Sequence, residues 1–308
     1  MSQNRSSKGI WILIGIVGIF MLMFFLFGVF AMKGLNSSSL SINSDNPFQA
    51  ITDNDAPIAV VEVKGVIMES DKTIKLLHKA EKNDSVKAII LRIDSPGGAV
   101  GPTQEIYEEI IRIDEQKPIY ASFSSVAASG GYYLGAACRK IFSNAGTITG
   151  SIGVIMQFMD MSKLYKWAKL KPETIKAGKY KDIGNPARSM TKDERSFMDA
   201  MITKVHQQFI DDIMRRRSHV IKKDIYELAQ GQIFSGQEAK ELGLIDEVAG
   251  LWKAGRMIHE ELKFKEKFDL RFIKKKKKFQ MMSLFEDLED EARLLLNQTG
   301  ETPMFLYK

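Results

Sequence analysis

Residues 86–93, VKAIILRI, are a nearly continuous apolar run with a turn signal, DSPGG, directly behind them. A strand with one solvated face alternates apolar and polar residues. A continuous run instead suits a strand covered on both faces, as in a parallel sheet with helices above and below it. The flanking chain supplies such helices. IAVVEVKGVI, from Ile58, is a β-branched run, and DKTIKLLHKAEKN carries apolar residues at helical spacing. GPTQEIYEEIIRI reads as a second helix and KPIYASFS as a further strand. Strand and helix keep alternating, so the expected fold is α/β with crossover connections and a mainly parallel sheet.

Further along, TKDERSFMDAMITKVHQQFIDDIMRRRS reads as one long amphipathic helix. Thr191 and Glu194 form its capping box, and Phe197, Met201, Val205, Phe209 and Met214 trace one side. SGQEAKELGLIDEVAG repeats this on a smaller scale: Ser235 caps, Glu238 answers three residues later, and Gly243 ends the helix before a short strand at Leu244 to Asp246. LKPETIK, residues 170–176, is expected as another strand.

The rest of the 308 residues frames this core. Gly9 to Met32 is an uncharged apolar run of 24 residues, enough to cross a bilayer core of about 30 Å as a helix. A signal peptide has a shorter apolar region and a small-residue cleavage site, and FAMKGLN offers no A-x-A. Residues 9–32 are therefore expected as an uncleaved transmembrane anchor after a cytoplasmic amino terminus at 1–8. Arg5 and Lys8 precede the run, whereas Asp45, Asp53 and Asp55 dominate the stretch after Lys33, which places the remainder outside the cytoplasm. Residues 33–57, rich in Ser, Asn and Asp, read as a linker. The domain proper is expected at 58–264 and a charged tail at 265–308. The net charge of +6 owes five positives to Lys274–Lys278. No aromatic platform accompanies that run, so nucleic acid is not an expected partner. The single cysteine, Cys138, forms no internal disulfide and reads as a buried structural thiol.

Three glycine-containing turns could carry chemistry. In RIDSPGGAV, adjacent Gly97 and Gly98 let backbone N–H groups point out of a tight turn towards an anion or oxyanion. No phosphate-binding spacing accompanies them. In SVAASGGYYLGAAC, Ser129 stands at the start of a helix of small residues, where the dipole and the next N–H favour an oxyanion. The stretch is not a G-x-S-x-G elbow, because Ala127 stands where that motif has glycine. AGTITGSIGVI is the third. A nucleophilic serine needs a base, but His78, His206, His219 and His259 all lie away from these turns. A lysine kept neutral by desolvation is the alternative. KAGKYKDI offers Lys176, Lys179 and Lys181, and spacing does not choose among them.

DSPGG, AASGGYY, GTITGSIGV and KAGKYKDI, in this order and at these separations, resemble the bacterial signal peptide peptidase A family in its short form. These are membrane-anchored serine–lysine peptidases of the Clp protease–crotonase superfamily, with a core of repeated β-β-α units. The resemblance runs from about Ile58 to Trp252. It implies that Ser129 is the nucleophile, that Lys181, 52 residues on, is the general base with Lys179 as runner-up, and that Ser151 holds the base in place. It implies an oxyanion hole from the N–H groups of Gly130 and of the PGG turn, Gly98 in preference to Gly97. No metal or cofactor is expected. The implied partners are signal-peptide remnants and other extended apolar peptides, the bacterial cytoplasmic membrane through the anchor, and further copies of the chain in a homo-oligomeric ring. The rival expectations are a silent membrane scaffold of the same fold, a crotonase-type thioester enzyme, and a peptidase acting on other membrane-protein segments.

Overall fold

The computed structural model describes residues 56–273. The apolar run at 9–32 and the lysine run at 274–278 lie outside the described residues. Among those described, no helix is long and apolar enough to cross a membrane.

The alternation read from the sequence is the alternation found. Strand β1 (Ile58–Lys64), helix α1 (Asp71–Glu81), strand β2 (Ala88–Ser95), helix α2 (Val100–Asp114), strand β3 (Ile119–Ala128) and helix α3 (Gly130–Ala137) follow one another. The short strands β4 (Ile141–Ser143) and β5 (Ile148–Gly150) come next, and then helices α4 (Ser162–Trp167), α5 (Lys192–Arg217) and α6 (Ile225–Leu228). The chain continues through β6 (Ile233–Ser235), α7 (Gly236–Leu242), β7 (Glu247–Val248), α8 (Leu251–Glu261) and β8 (Leu270–Phe272).

All eight strands belong to one sheet of path order β6-β5-β3-β2-β1-β8. Every pairing is parallel except β5 with β6. β3 is long enough to serve two neighbours on one edge: β4 pairs its first half at Ala121 and Ser122, and β5 pairs its end at Val126 to Ala128. The sheet therefore forks there.

One face buries Val61, Leu91, Ile93, Ala121 and Phe123 against side chains of α1, α2, α3 and α5. On the other face Ile58, Val60, Ile90 and Tyr120 pack against Ala254 and Ile258 of α8. This second cover reaches only the first half of β2: Ala88 to Leu91 are buried, but Arg92 and Asp94 are part-exposed. The uncovered half leads to the carboxyl edge of the sheet, where loops after parallel strands usually carry function.

Both capping boxes form as read. Thr191 accepts from Glu194 N–H and Ser235 from Glu238 N–H, and each glutamate reaches back to its cap. Gly243 ends α7 in the left-handed region at φ 81°. Three expectations are corrected. Residues 170–176 form no strand and are exposed along their length, since Pro172 lacks a ladder donor and the charged Lys171, Glu173 and Lys176 favour water. The strand expected at Leu244–Asp246 lies instead at Glu247–Val248. In α5 only the carboxyl-terminal half packs on the core, through Phe209, Ile210 and Ile213, while Phe197 is half exposed and stacks on Tyr180 at 4.8 Å. The sheet also takes in residues beyond 264, because β8 pairs with β1.

Close approach of α3 to β2 generates a test. A Cβ on Gly131 would lie 2.7 Å from the Ser95 carbonyl oxygen, a backbone atom that cannot move aside alone. Gly131→Ala is expected to destabilise the fold by about 1–3 kcal/mol. Gly101→Ala, in the first turn of α2 with open space around it, should be neutral or stabilising by up to about 1 kcal/mol. Chemical unfolding midpoints of the two variants check the contrast; equal midpoints would refute it.

Candidate active site

At the end of β3 the chain turns abruptly into α3, and Ser129 is the residue at the turn. It caps the helix with φ 54° and ψ −118°, a conformation that L-residues rarely adopt. Such backbone costs on the order of 1–3 kcal/mol and persists only where its surroundings hold it. Here Ser129 N–H donates to the Gly150 carbonyl (2.8 Å), and the Ser129 carbonyl accepts from Tyr133 N–H (2.9 Å). The hydroxyl is fully buried and has no hydrogen-bond partner. A buried, unsatisfied hydroxyl costs about 1–3 kcal/mol, so this side chain is not there for stability. The aromatics that follow it are anchors. Tyr133 donates to Asp212 of α5 (2.5 Å), and Tyr132 donates to the Leu244 carbonyl (3.0 Å).

Asp94 aims the end of β3. Ile93 pairs with Phe123 but Ser95 pairs with Ala127, so β3 carries extra residues between these points. Asp94 Oδ1 accepts from the N–H groups of Ser125 (3.2 Å) and Val126 (3.1 Å), which satisfies the bulged backbone. Sequence reasoning missed this role, although an aspartate immediately before S-P-G-G is the kind of residue that bonds nearby N–H groups in turns.

The PGG turn lies against the same helix start. Ile67 bridges it by donating to the Gly97 carbonyl (2.9 Å) and accepting from Ala99 N–H (2.7 Å), so Gly98 turns its own N–H away from Ile67. Gly97 N–H donates to Ser95 Oγ (3.1 Å). A Cβ on Gly130 would meet Gly98 N at 3.3 Å, and one on Gly98 would collide with the Ile67 carbonyl oxygen at 2.0 Å. Glycine is required at position 98 for this approach, and at Gly130 any larger residue would press tightly on the turn. The amides of Gly98 and Gly130, the first residue of α3, thus stand together beside Ser129.

Ser151 occupies the equivalent place on the next strand. Ala128 pairs with Gly150, so Ser129 and Ser151 leave adjacent parallel strands at one level. Both have positive φ, 54° and 50°, and Ser151 is also buried. Ser151 N–H donates to the Gln232 carbonyl (2.7 Å).

The lysines are not part of this cluster. All three sit on an arm, residues 152–190, that departs after β5. Lys176 pairs with Asp182, and Lys179 pairs with Asp193 (2.6 Å), which holds its pKa above the usual lysine value. Lys181 lies in a turn and is exposed, and no hydrogen bond links it to Ser129. A cavity of about 490 Å³ beside the arm, lined by Phe158, Arg188, Met190 and Met198 among others, does not include Ser129 either.

Cys138 is buried, which pushes its thiol pKa up and makes it inert, as expected. His78, Glu81 and Glu109 lie close enough together to suggest a cation site. Arg112 occupies it electrostatically: its guanidinium bonds both Glu81 oxygens (2.8 Å each) and Glu109 (2.6 and 2.9 Å), and holds both carboxyls below their usual range. The trio is an ion-pair network at the ends of α1 and α2.

Known proteins place this arrangement. The model of peptidase family S49 matches residues 111–265, and that of the Clp protease family matches residues 59–148. A candidate protease of Synechocystis sp. is 40% identical over 192 residues, which cover 61% of this chain and 68% of that protein. One from Methanocaldococcus jannaschii is 38% identical over 175 residues, 57% of this chain and 56% of that protein. The chloroplastic serine protease SPPA of Arabidopsis thaliana is 36% identical over 191 residues, 62% of this chain but only 28% of its own length. The chain thus spans about half to two thirds of the first two relatives and much less of the third. The matched S49 region covers the helix behind Ser129, the arm and the capped helix α5, and on that basis the chain belongs to peptidase family S49, signal peptide peptidase type.

Proposed function

We propose that this protein is a membrane-anchored serine endopeptidase with the core of the Clp protease–crotonase superfamily. Ser129 is its nucleophile and Lys181 its general base. Its substrates are signal-peptide remnants and other extended apolar peptides at the extracytoplasmic face of the bacterial cytoplasmic membrane. The observation that carries this reading is Ser129 itself: a buried, unpartnered hydroxyl on a strained backbone at a helix start, with the PGG turn packed closely against that start.

The chemistry follows from those positions. Neutral Lys181 takes the Ser129 proton as Oγ attacks a peptide carbonyl. The amides of Gly130 and Gly98, with the positive end of the α3 dipole, stabilise the tetrahedral oxyanion. The protonated amine then gives its proton to the leaving nitrogen, and the C–N bond breaks. Water, deprotonated by the same amine, releases the acyl group. Ser151, level with Ser129 just after β5, holds the lysine amine in line.

Two features of the arm favour Lys181. Lys176 and Lys179 are each committed to a carboxylate, whereas the Lys181 ammonium has no such pairing among the described residues. An exposed lysine is also charged near neutral pH, so the base has to be desolvated before it works. The arm carries the means in side chains left bare: Trp167 is 81% and Ile175 95% exposed, with Leu170 between them. Covering these side chains with a further copy of the chain in a closed ring would remove water from the arm, the condition under which an amine serves as a base.

The test is peptide hydrolysis against pH. Wild-type activity is expected to rise with pH as the lysine loses its proton. Ser129→Ala and Lys181→Ala should each lose on the order of 10³-fold or more while staying folded and assembled. Lys179→Ala should stay near wild type. Activity retained by Lys181→Ala and lost by Lys179→Ala would move the base. A folded, assembled wild type without hydrolysis would leave a scaffold. Ser151→Ala, which removes only the group that holds the base, is expected to lose about 10- to 100-fold in kcat with little change in KM; an unchanged kcat would remove Ser151 from the site.

A further inference from the structure

A lysine serves as a base only while neutral, and a carboxylate within about 4–6 Å favours its charged form. Three carboxylates flank Lys181 in sequence or on the helix start that follows: Asp182, Asp193 and Glu194. All three are taken. Asp193 accepts from Lys179 (2.6 Å) and from Tyr180 Oη (2.8 Å). Asp182 is bonded by Lys176 and by Arg188 Nε (2.9 Å), and Arg188 Nη2 also reaches the Asp182 backbone carbonyl (3.3 Å). Glu194 receives both terminal nitrogens of Arg188 (2.8 and 2.6 Å) and closes the Thr191 capping box as well. Asp160, farther along the arm, accepts from Ser162 N–H and Ser189 Oγ.

Arg188 is the hub. One planar guanidinium joins the residue next to Lys181 to a buried glutamate at the start of α5. Its fork geometry lets it hold two carboxylates at once, which a lysine ammonium does not reproduce. The same contacts keep the carboxyls of Asp182 and Glu194 well below their usual range, so both stay charged and both stay bound to the arginine.

We propose that Arg188 is the positioning residue of the general base: by taking Asp182 and Glu194 together it fixes the peptide that follows Lys181 and withholds both carboxylates from the Lys181 amine. This rests on the reading of Lys181 as the base. Arg188 touches no reacting atom in this scheme and acts only through Lys181.

Peptide hydrolysis against pH by the full chain in detergent tests it, with Arg188→Gln, Arg188→Lys, Asp182→Asn, the Arg188→Gln/Asp182→Asn double variant and Lys181→Ala. Arg188→Gln is expected to lower kcat about 10- to 100-fold with little change in KM. It should also move the acidic limb of the profile up by about one pH unit, as the freed carboxylates hold Lys181 charged. Arg188→Lys should bring the limb back and recover only part of kcat. The double variant should bring the limb only part of the way back, because Glu194 stays freed, and leave kcat low. A purely structural arginine would lower the melting temperature and leave the limb where it is, and that result overturns the proposal. Should Arg188→Gln fail to fold, Asp182→Asn, which keeps the Arg188–Glu194 pair and the cap, must itself lower kcat; wild-type kcat there also overturns it. Activity in Lys181→Ala would instead strike the reading of the base, on which this one stands.

Discussion

The hydrogen bond from Ser129 N–H to the Gly150 carbonyl ties the end of β3 to the end of β5, and the geometry of the candidate site depends on it. It holds Ser129 in a backbone conformation that would relax if the strand ended freely. It also sets Ser151 level with Ser129, because the parallel register of Ala128 with Gly150 is what makes the bond possible. The strain is borne by the rest of the fold. Asp94 satisfies the bulged backbone just before the turn, Tyr132 and Tyr133 lock α3 to the segments behind it, and glycines at 98 and 131 admit backbone where any side chain would collide. An unsatisfied hydroxyl at the focus of so many stabilising contacts is the feature on which the proposed role of Ser129 as nucleophile rests.

The second component is built on a different principle. Ser129 is placed by the buried sheet, whereas the arm that bears the lysines is held by surface ion pairs and by its own folding. Met161 N–H donates to the Pro186 carbonyl (2.7 Å), and Asn185 donates to Thr174 (3.0 Å). The first half of α5 extends with the arm, which explains why Phe197 packs on Tyr180 and not on the core. In the single chain Ser129 is buried and Lys181 is exposed. The proposed serine–lysine mechanism needs both groups in a dry site, which Ser129 has and Lys181 lacks until the arm is covered.

Much of this was legible from residues alone, and the gaps have a common cause. Local signals held. The apolar β2, the caps at Thr191 and Ser235, and the stop at Gly243 each depend on neighbours a few residues away. Ser129 and the PGG glycines were found the same way, as small residues between a strand and a helix. What failed needed knowledge of distant partners. The exception is residues 170–176, which carry too few apolar positions to bury a face and where Pro172 removes a ladder donor, so the segment stays exposed on the arm. The apolar stripe of α5 is real along its length, yet only its second half meets a core. The choice of Lys181 over Lys176 and Lys179 came from resemblance and not from spacing. The residues that distinguish the three, Asp182, Asp193 and Arg188, act through contacts that no local pattern announces.

In the proposed mechanism Ser129 is a nucleophile activated by a neutral amine. It is tested most directly by treating the full-length protein with a serine-directed phosphonate and mapping the adduct by mass spectrometry across a range of pH. One adduct is expected, on Ser129, forming faster as pH rises, absent in Ser129→Ala and strongly slowed in Lys181→Ala. An adduct on another serine, or none on a folded and assembled protein, would contradict it.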